Sequence, residues 1–175
     1  MNDLPDLSAR RTRLREYQTQ LLERVQAART SRGQRASLLG VQAGGASGTA
    51  PGQRLLLDLA QAGEIVTAAP LTRVPLTQPW YLGLANIRGN LIGVIDIARY
   101  LGVGETVAGP HSRIVTLAPG LGLNCALLVS RVYGLRDAGA MHEEDGMLRD
   151  GEGNEWTPLD LAKLVKETRF LHIGM

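Results

Sequence analysis

Two segments 64 positions apart follow one template, "GVIDIARYLG" at 93–102 and "TPLDLAKLVK" at 157–166. Each runs apolar, Asp, apolar, Ala, basic and then two bulky residues. That pattern suits a strand that turns through an Asp N-cap into a short helix. Asp96 and Asp160 are therefore expected to cap helices rather than to act in catalysis. Upstream of each copy lies a second matched pair, "RLLLDLAQAGEIV" at 54–66 and "NCALLVSRVYGLR" at 124–136. The same order of elements occurs twice, which argues for two similar small β-barrels built from one chain.

The rest of residues 38–175 reads as short strands. "LLGV", "RLLLDL" and "EIVTA" are three candidates, and "PLTRVPLTQP" is a proline-punctuated crossing that has no place at a sheet centre. "GLANI" and "LIGVIDI" flank Gly89-Asn90, a pair that accepts the positive φ angles of a two-residue turn, so a hairpin is expected there. In that register Arg88 faces Leu91, Asn86 faces Gly93 and Leu84 faces Ile95, with Ile87, Ile92 and Val94 on the other face. Both faces are largely apolar, which places the hairpin centrally. "RIVTLA" and "NCALLV" form a further hairpin, followed by "RVYGL", a loop over about 136–145, and a last pair, "MLRD" and "WTPLDL".

Composition agrees with many turns and an aliphatic core: of 175 residues, 21 are Gly, and aromatics make up 4%. Residues 1–37 differ. Leu14, Tyr17, Leu21, Val25 and Ala28 lie at helical spacing among Arg, Gln and Glu, with Ser8 as a candidate N-cap. This amphipathic helix is expected to lead through a Gly/Ser-rich linker into the body. The N-terminus has no apolar signal region and no apolar run reaches the length of a bilayer span, so a cytoplasmic protein is expected. Cys125, the single cysteine, lies in the apolar run "CALLV" and reads as a buried thiol.

Enzyme chemistry finds no support. His111, His142 and His172 are scattered, "MHEED" lacks the spacing of a defined metal site, and no glycine-rich piece opens a helix in a βαβ setting. No catalytic residue, metal or cofactor is expected. Nucleic-acid binding is the alternative for a small barrel. It calls for a basic groove interleaved with stacking aromatics. A net charge of +2 and the apolar strand contexts of Trp80, Tyr81 and Trp156 speak against it.

The stretch "ANIRGNLIGVIDIARYLG" resembles the central motif of the CheW-like adaptor domain of bacterial chemosensory arrays. The resemblance extends over about 38–166, and "PWYLGLAN", "WTPLDLAKL" and "RFLHIG" look most like its pilus-associated, twitching-motility branch. It implies an all-β fold of two intertwined, SH3-like five-stranded barrels sharing an apolar core. It also implies a non-enzymatic scaffold joining the regulatory domain of a CheA-type histidine kinase to the cytoplasmic tip of a methyl-accepting receptor. Carried over by position, the implied partner-facing residues are Asn86, Arg88, Gly89, Ala62, Glu64 and Ala126. The chain departs from the family at Gly93, where Pro is usual, at Ala126, where Gly is common, and at Ser130, where Asp is common.

Overall fold

The structure, a computed structural model, describes residues 19, 20, 23, 37–45 and 51–175. Thr19, Gln20 and Glu23 are helical and exposed; the rest of the expected N-terminal helix lies outside the described residues. Met1–Arg35 forms one unit and Ala36–Met175 a second, to which everything below refers.

Twelve described strands form two six-stranded sheets. Their bounds are β1 Ser37–Ala43, β2 Gln53–Asp58, β3 Ala62–Thr67, β4 Leu71–Thr72, β5 Tyr81–Ile87, β6 Asn90–Asp96, β7 Arg113–Leu117, β8 Cys125–Val129, β9 Arg131–Asp137, β10 His142–Glu144, β11 Met147–Arg149 and β12 Glu155–Leu159. Three short helices follow strands or close the chain: α1 Ile97–Leu101, α2 Leu161–Leu164 and α3 Thr168–Leu171. The first sheet has the order β10-β11-β12-β2-β1-β9, the second β3-β7-β8-β6-β5-β4. The fold is thus all-β, as expected, with two SH3-like barrels whose hydrogen-bonded sheets each reach six strands by the addition of a short edge strand. The added strands are the short edges β4 and β10. β4 sits between Pro70 and Pro75, which keep it at the rim, and β10 falls inside the stretch expected to be a loop.

The repeat is realised as an exchange of strands. β12 lies parallel to β2 with Leu159 beside Leu57, and β6 lies parallel to β8 with Ile95 beside Leu127. These are the same two template positions in each copy. Each half therefore completes the other's sheet, and neither half holds a whole barrel.

Asp96 and Asp160 cap α1 and α2 as expected. Asp96 Oδ1 accepts from the Ala98 N–H at 3.0 Å, and Asp160 Oδ1 from the Ala162 N–H at 3.0 Å. The twin relation reaches further back than the template: Gly89-Asn90 recurs as Gly153-Asn154, seven positions before each cap, with both glycines left-handed at φ 85° and 83°.

Alternation along the strands fills two cores. Leu39, Val41, Leu55, Leu57, Val115, Leu127 and Val129 meet between the sheets, joined by Ile97, Tyr100, Leu161 and Phe170 from the helices. Ala85, Ile87, Ile92, Val94, Ile114, Ala126 and Leu128 fill the second barrel. The matching space of the first barrel is occupied differently. Trp156 is buried there over Gly40.

Candidate partner interface

The β5–β6 hairpin turns one residue earlier than its sequence suggests. Ile87 pairs with Asn90, Asn86 with Leu91 and Leu84 with Gly93, so the turn residues are Arg88 and Gly89, at φ 52° and 85°. The expected pairings of Arg88 with Leu91 and Asn86 with Gly93 are corrected accordingly. The cause is local: the Asn86 Oδ1 accepts the Gly89 N–H at 2.9 Å and fixes a turn of the mirror-image type, with both central residues left-handed. The slip preserves strand parity, so the faces stand as expected, and Ile87, Ile92 and Val94 enter the core of the second barrel.

Arg88 reaches from this tip to β3. Its Nε lies 3.0 Å from the Glu64 Oε2, with the two side chains 76% and 50% exposed. β3 is an edge strand that bulges at Gly63–Glu64, where two residues oppose the single Thr116 of β7. The Glu64 N–H donates to the Thr116 Oγ1 at 2.7 Å, and a Cβ on Gly63 would stand 2.4 Å from the same oxygen. Gly63 therefore allows the bulge, and the bulge aims Glu64 at the hairpin tip. An open groove of about 230 Å³ lies beneath the ion pair, lined by Ile87, Ile92, Thr116, Asn124 and Cys125. Burial pushes the Cys125 thiol up to about 12, so it stays protonated at neutral pH and adds no charge to the groove.

Of the expected partner-facing residues, Asn86, Glu64, Arg88 and Gly89 come together here. Ala62 stands at the start of β3, half-buried beside Leu117. Ala126 is a correction: it is 0% exposed on β8, between β6 and β7, and offers no side-chain surface to a partner. Thr116, Asn124 and Cys125 belong to the groove without having been expected. The expected β7–β8 hairpin brings them there by lying between β3 and β6, and that placement has no local mark in the sequence. The departure at Gly93 has a packing cause, because a Cβ there would meet the Tyr81 Oη at 2.8 Å. Buried Ser130 donates through Oγ to the Gly44 carbonyl at 2.6 Å, which gives it a structural duty. Among the described residues no group of three or more His, Cys, Asp or Glu is placed to hold a metal, and no helix is long and apolar enough to cross a membrane.

Two small all-β barrels with exchanged strands and an exposed charged hairpin tip define the class of domain. The chain belongs to the CheW-like domain family, whose model matches residues 48–168. It is similar to the protein PilI of Pseudomonas aeruginosa, at 28% identity over 85 residues, covering 49% of this chain and 47% of PilI. The protein FrzA of Myxococcus xanthus is 27% identical over 120 residues, covering 61% of this chain and 74% of FrzA. The alignment to PilI thus spans about half of that relative's length. In structure the chain resembles the scaffolding protein TtCheW from Thermoanaerobacter tengcongensis, with a TM-score of 0.60 at 19% identity, covering 79% of this chain and 97% of that one. At that identity the likeness speaks for the fold.

Proposed function

We propose that this chain is a non-enzymatic cytoplasmic adaptor that holds the regulatory domain of a CheA-type histidine kinase against the cytoplasmic tip of a methyl-accepting receptor, in the control of type IV pilus twitching motility. Family membership supports the adaptor role, and the similarity to PilI supports the pilus setting. Such a protein needs no chemistry of its own. It couples two partners through contacts that differ between the signalling states of the assembly.

One observation carries the assignment of the surface. Arg88 holds the left-handed backbone at φ 52°, which costs an L-residue about 1–2 kcal/mol and which Asn or Gly would occupy more easily. Its guanidinium is nonetheless largely in solvent, engaged only through Nε among the described residues. A strained residue that contributes so little to its own fold fits a role toward a partner. Gly89, Asn86 and Glu64 shape and orient it, and Ala62 borders the same edge.

The test is a pull-down of the full chain with a purified kinase regulatory domain and with a receptor cytoplasmic fragment. Capture of both is expected, with no catalytic turnover by the adaptor. Failure to capture either would refute the reading.

A further inference from the structure

In the first barrel Trp156 stands at the template position that Ile92 holds in the second, and Arg136 at the position of Val66. On the face of the first barrel's sheet turned away from the shared core, Arg54 of β2 and Arg136 of β9 lie over the Trp156 indole, their Cζ atoms 5.7 and 5.0 Å from the ring centroid. Arg54 and Arg131 lie over Tyr133 at 5.6 and 5.9 Å, and Tyr133 meets Trp156 edge-on at 5.4 Å. Three guanidiniums and two rings thus form one continuous stack, on the sheet that does not carry the Arg88 hairpin.

No carboxylate neutralises this stack. Among the described residues none lies within 4.0 Å of Arg54, Arg131 or Arg136, and Glu155, Asp150, Asp58 and Asp137 of the same half each have another partner. Glu155 is held by Arg149 at 2.6 Å. Asp150 accepts the Trp156 indole N–H at 2.9 Å, Asp58 the Ala60 N–H at 2.9 Å and Asp137 the Gly139 N–H at 2.9 Å. Arg136 is anchored on Trp156, whereas Arg131 is exposed and Arg54 stands at an open groove of about 480 Å³ that also includes Gln42, Tyr133 and Asn154. Arg54 is steadied there by a hydrogen bond to the Asn154 Oδ1, and Tyr133 by its hydroxyl's bond to the Gln42 Oε1 at 2.5 Å.

Planar guanidiniums stacked on aromatic faces keep their edge N–H donors free for bidentate bonds to a carboxylate or a phosphate. The rings decide between the two. A nucleic-acid strand binds such a surface by stacking its bases on open aromatic faces. Here Trp156 is 1% exposed, and Tyr133 carries guanidiniums over its ring and Trp156 against its edge. Trp156 thus offers no face to a base, and the half-buried Tyr133 ring is already shared by two guanidiniums. We infer that the surface made by the open groove at Arg54 and by the exposed Arg131, whose guanidiniums share the Tyr133 ring, docks a Glu- or Asp-rich polypeptide segment of a partner protein. This docking surface stands on its own geometry and does not depend on the role given to Arg88.

The probe is a fluorescein-labelled peptide of alternating Glu and Ser, titrated against the full chain by anisotropy. A Lys-Ser peptide and a labelled oligo-dT strand serve as comparisons. The acidic peptide is expected to bind, more tightly than either comparison, and to weaken as salt is raised. Arg131→Glu and Arg54→Glu are each expected to weaken it by about tenfold or more. Arg131 is exposed and among the described residues its guanidinium has no polar or ring partner besides Tyr133, so its replacement leaves the fold in place, which a thermal melt verifies. Arg131→Glu carries the test even where Arg54→Glu destabilises the barrel. No binding of the acidic peptide, binding unchanged by Arg131→Glu, or tighter binding of oligo-dT would each overturn the proposal, the last in favour of a nucleic-acid surface.

Discussion

The Arg88 Nε and the Glu64 Oε2 are 3.0 Å apart, yet the Arg88 side chain stands mostly and the Glu64 side chain half in water. Exposed pairs of this kind contribute only about 0.2–1 kcal/mol to stability. Arg88→Glu is therefore expected to melt close to wild type while losing about thirtyfold or more in affinity for the kinase domain or the receptor fragment, the range for a partner contact desolvated on binding. Arg88→Asn sharpens the contrast. Asn tolerates the left-handed turn, so this variant should melt at or above the wild-type temperature and still bind poorly. Calorimetric titration and thermal melts on the same samples decide the matter, and unchanged affinity for both partners would remove Arg88 from the interface.

The two template aspartates should respond unequally to the same change. Asp96 is fully buried, accepts N–H bonds from Ala98 and from Thr106 at 2.8 Å, and has the Arg99 Nε at 3.5 Å. Asp160 is partly exposed and caps its helix beside Gln61. Asp96→Ala strands two backbone donors away from water and is expected to cost about 2–4 kcal/mol in urea unfolding. Asp160→Ala should cost distinctly less. Equal losses would show that burial of the Asp96 cap adds nothing to the capping bonds themselves.

Much of this architecture was legible in the sequence, and the misses have identifiable causes. The strand-to-helix turns at Asp96 and Asp160 are local events, fixed by residues two positions apart. The hairpin slipped because Gly89-Asn90 is the more favourable turn pair by residue type alone. The Asn86 side chain overrides that preference and forces Arg88 into a conformation that arginine seldom takes. The burial of Ala126 is not legible, because a small residue in an apolar run carries no mark of how many strands cover it. The meeting of Glu64 with Arg88 needs the bulge opposite Thr116, and the gathering of Arg54, Arg131 and Arg136 needs the exchange of strands between halves. Those pairings join residues dozens of positions apart, and no periodicity announces them.

Gly40 is set by one ring. A Cβ at that position would approach the Trp156 Cζ3 to 2.9 Å and the Cη2 to 3.0 Å, and the indole, 1% exposed and clamped by Arg54 and Arg136, has nowhere to move. The backbone at Gly40 is not left-handed, so any penalty comes from packing and not from φ. Gly40→Ala is expected to cost about 1–3 kcal/mol, as overpacking of a filled core does, and to alter the near-ultraviolet signal of the tryptophans. A melt and spectrum like those of the wild type would mean that the arginine stack yields more readily than its geometry implies.

Acid should loosen the same corner of the molecule. The Trp156 indole N–H, with further bonds from Asn154 and the Glu152 N–H, holds the Asp150 carboxyl well below the usual carboxylate range. A carboxylate depressed on folding stabilises the native state at pH values above its unfolded pKa of 3.8, and that contribution is lost as the pH falls through this value toward the folded one. The melting temperature is therefore expected to drop on acidification below about pH 4. Asp150→Asn removes the group that titrates, so the variant should be less stable than wild type at neutral pH, and the gap should narrow as the pH falls toward about 2. Thermal melts followed by tryptophan fluorescence across that range give the comparison. A gap that stays constant with pH would assign the stabilisation to the shape of the turn around Asp150 and not to its charge.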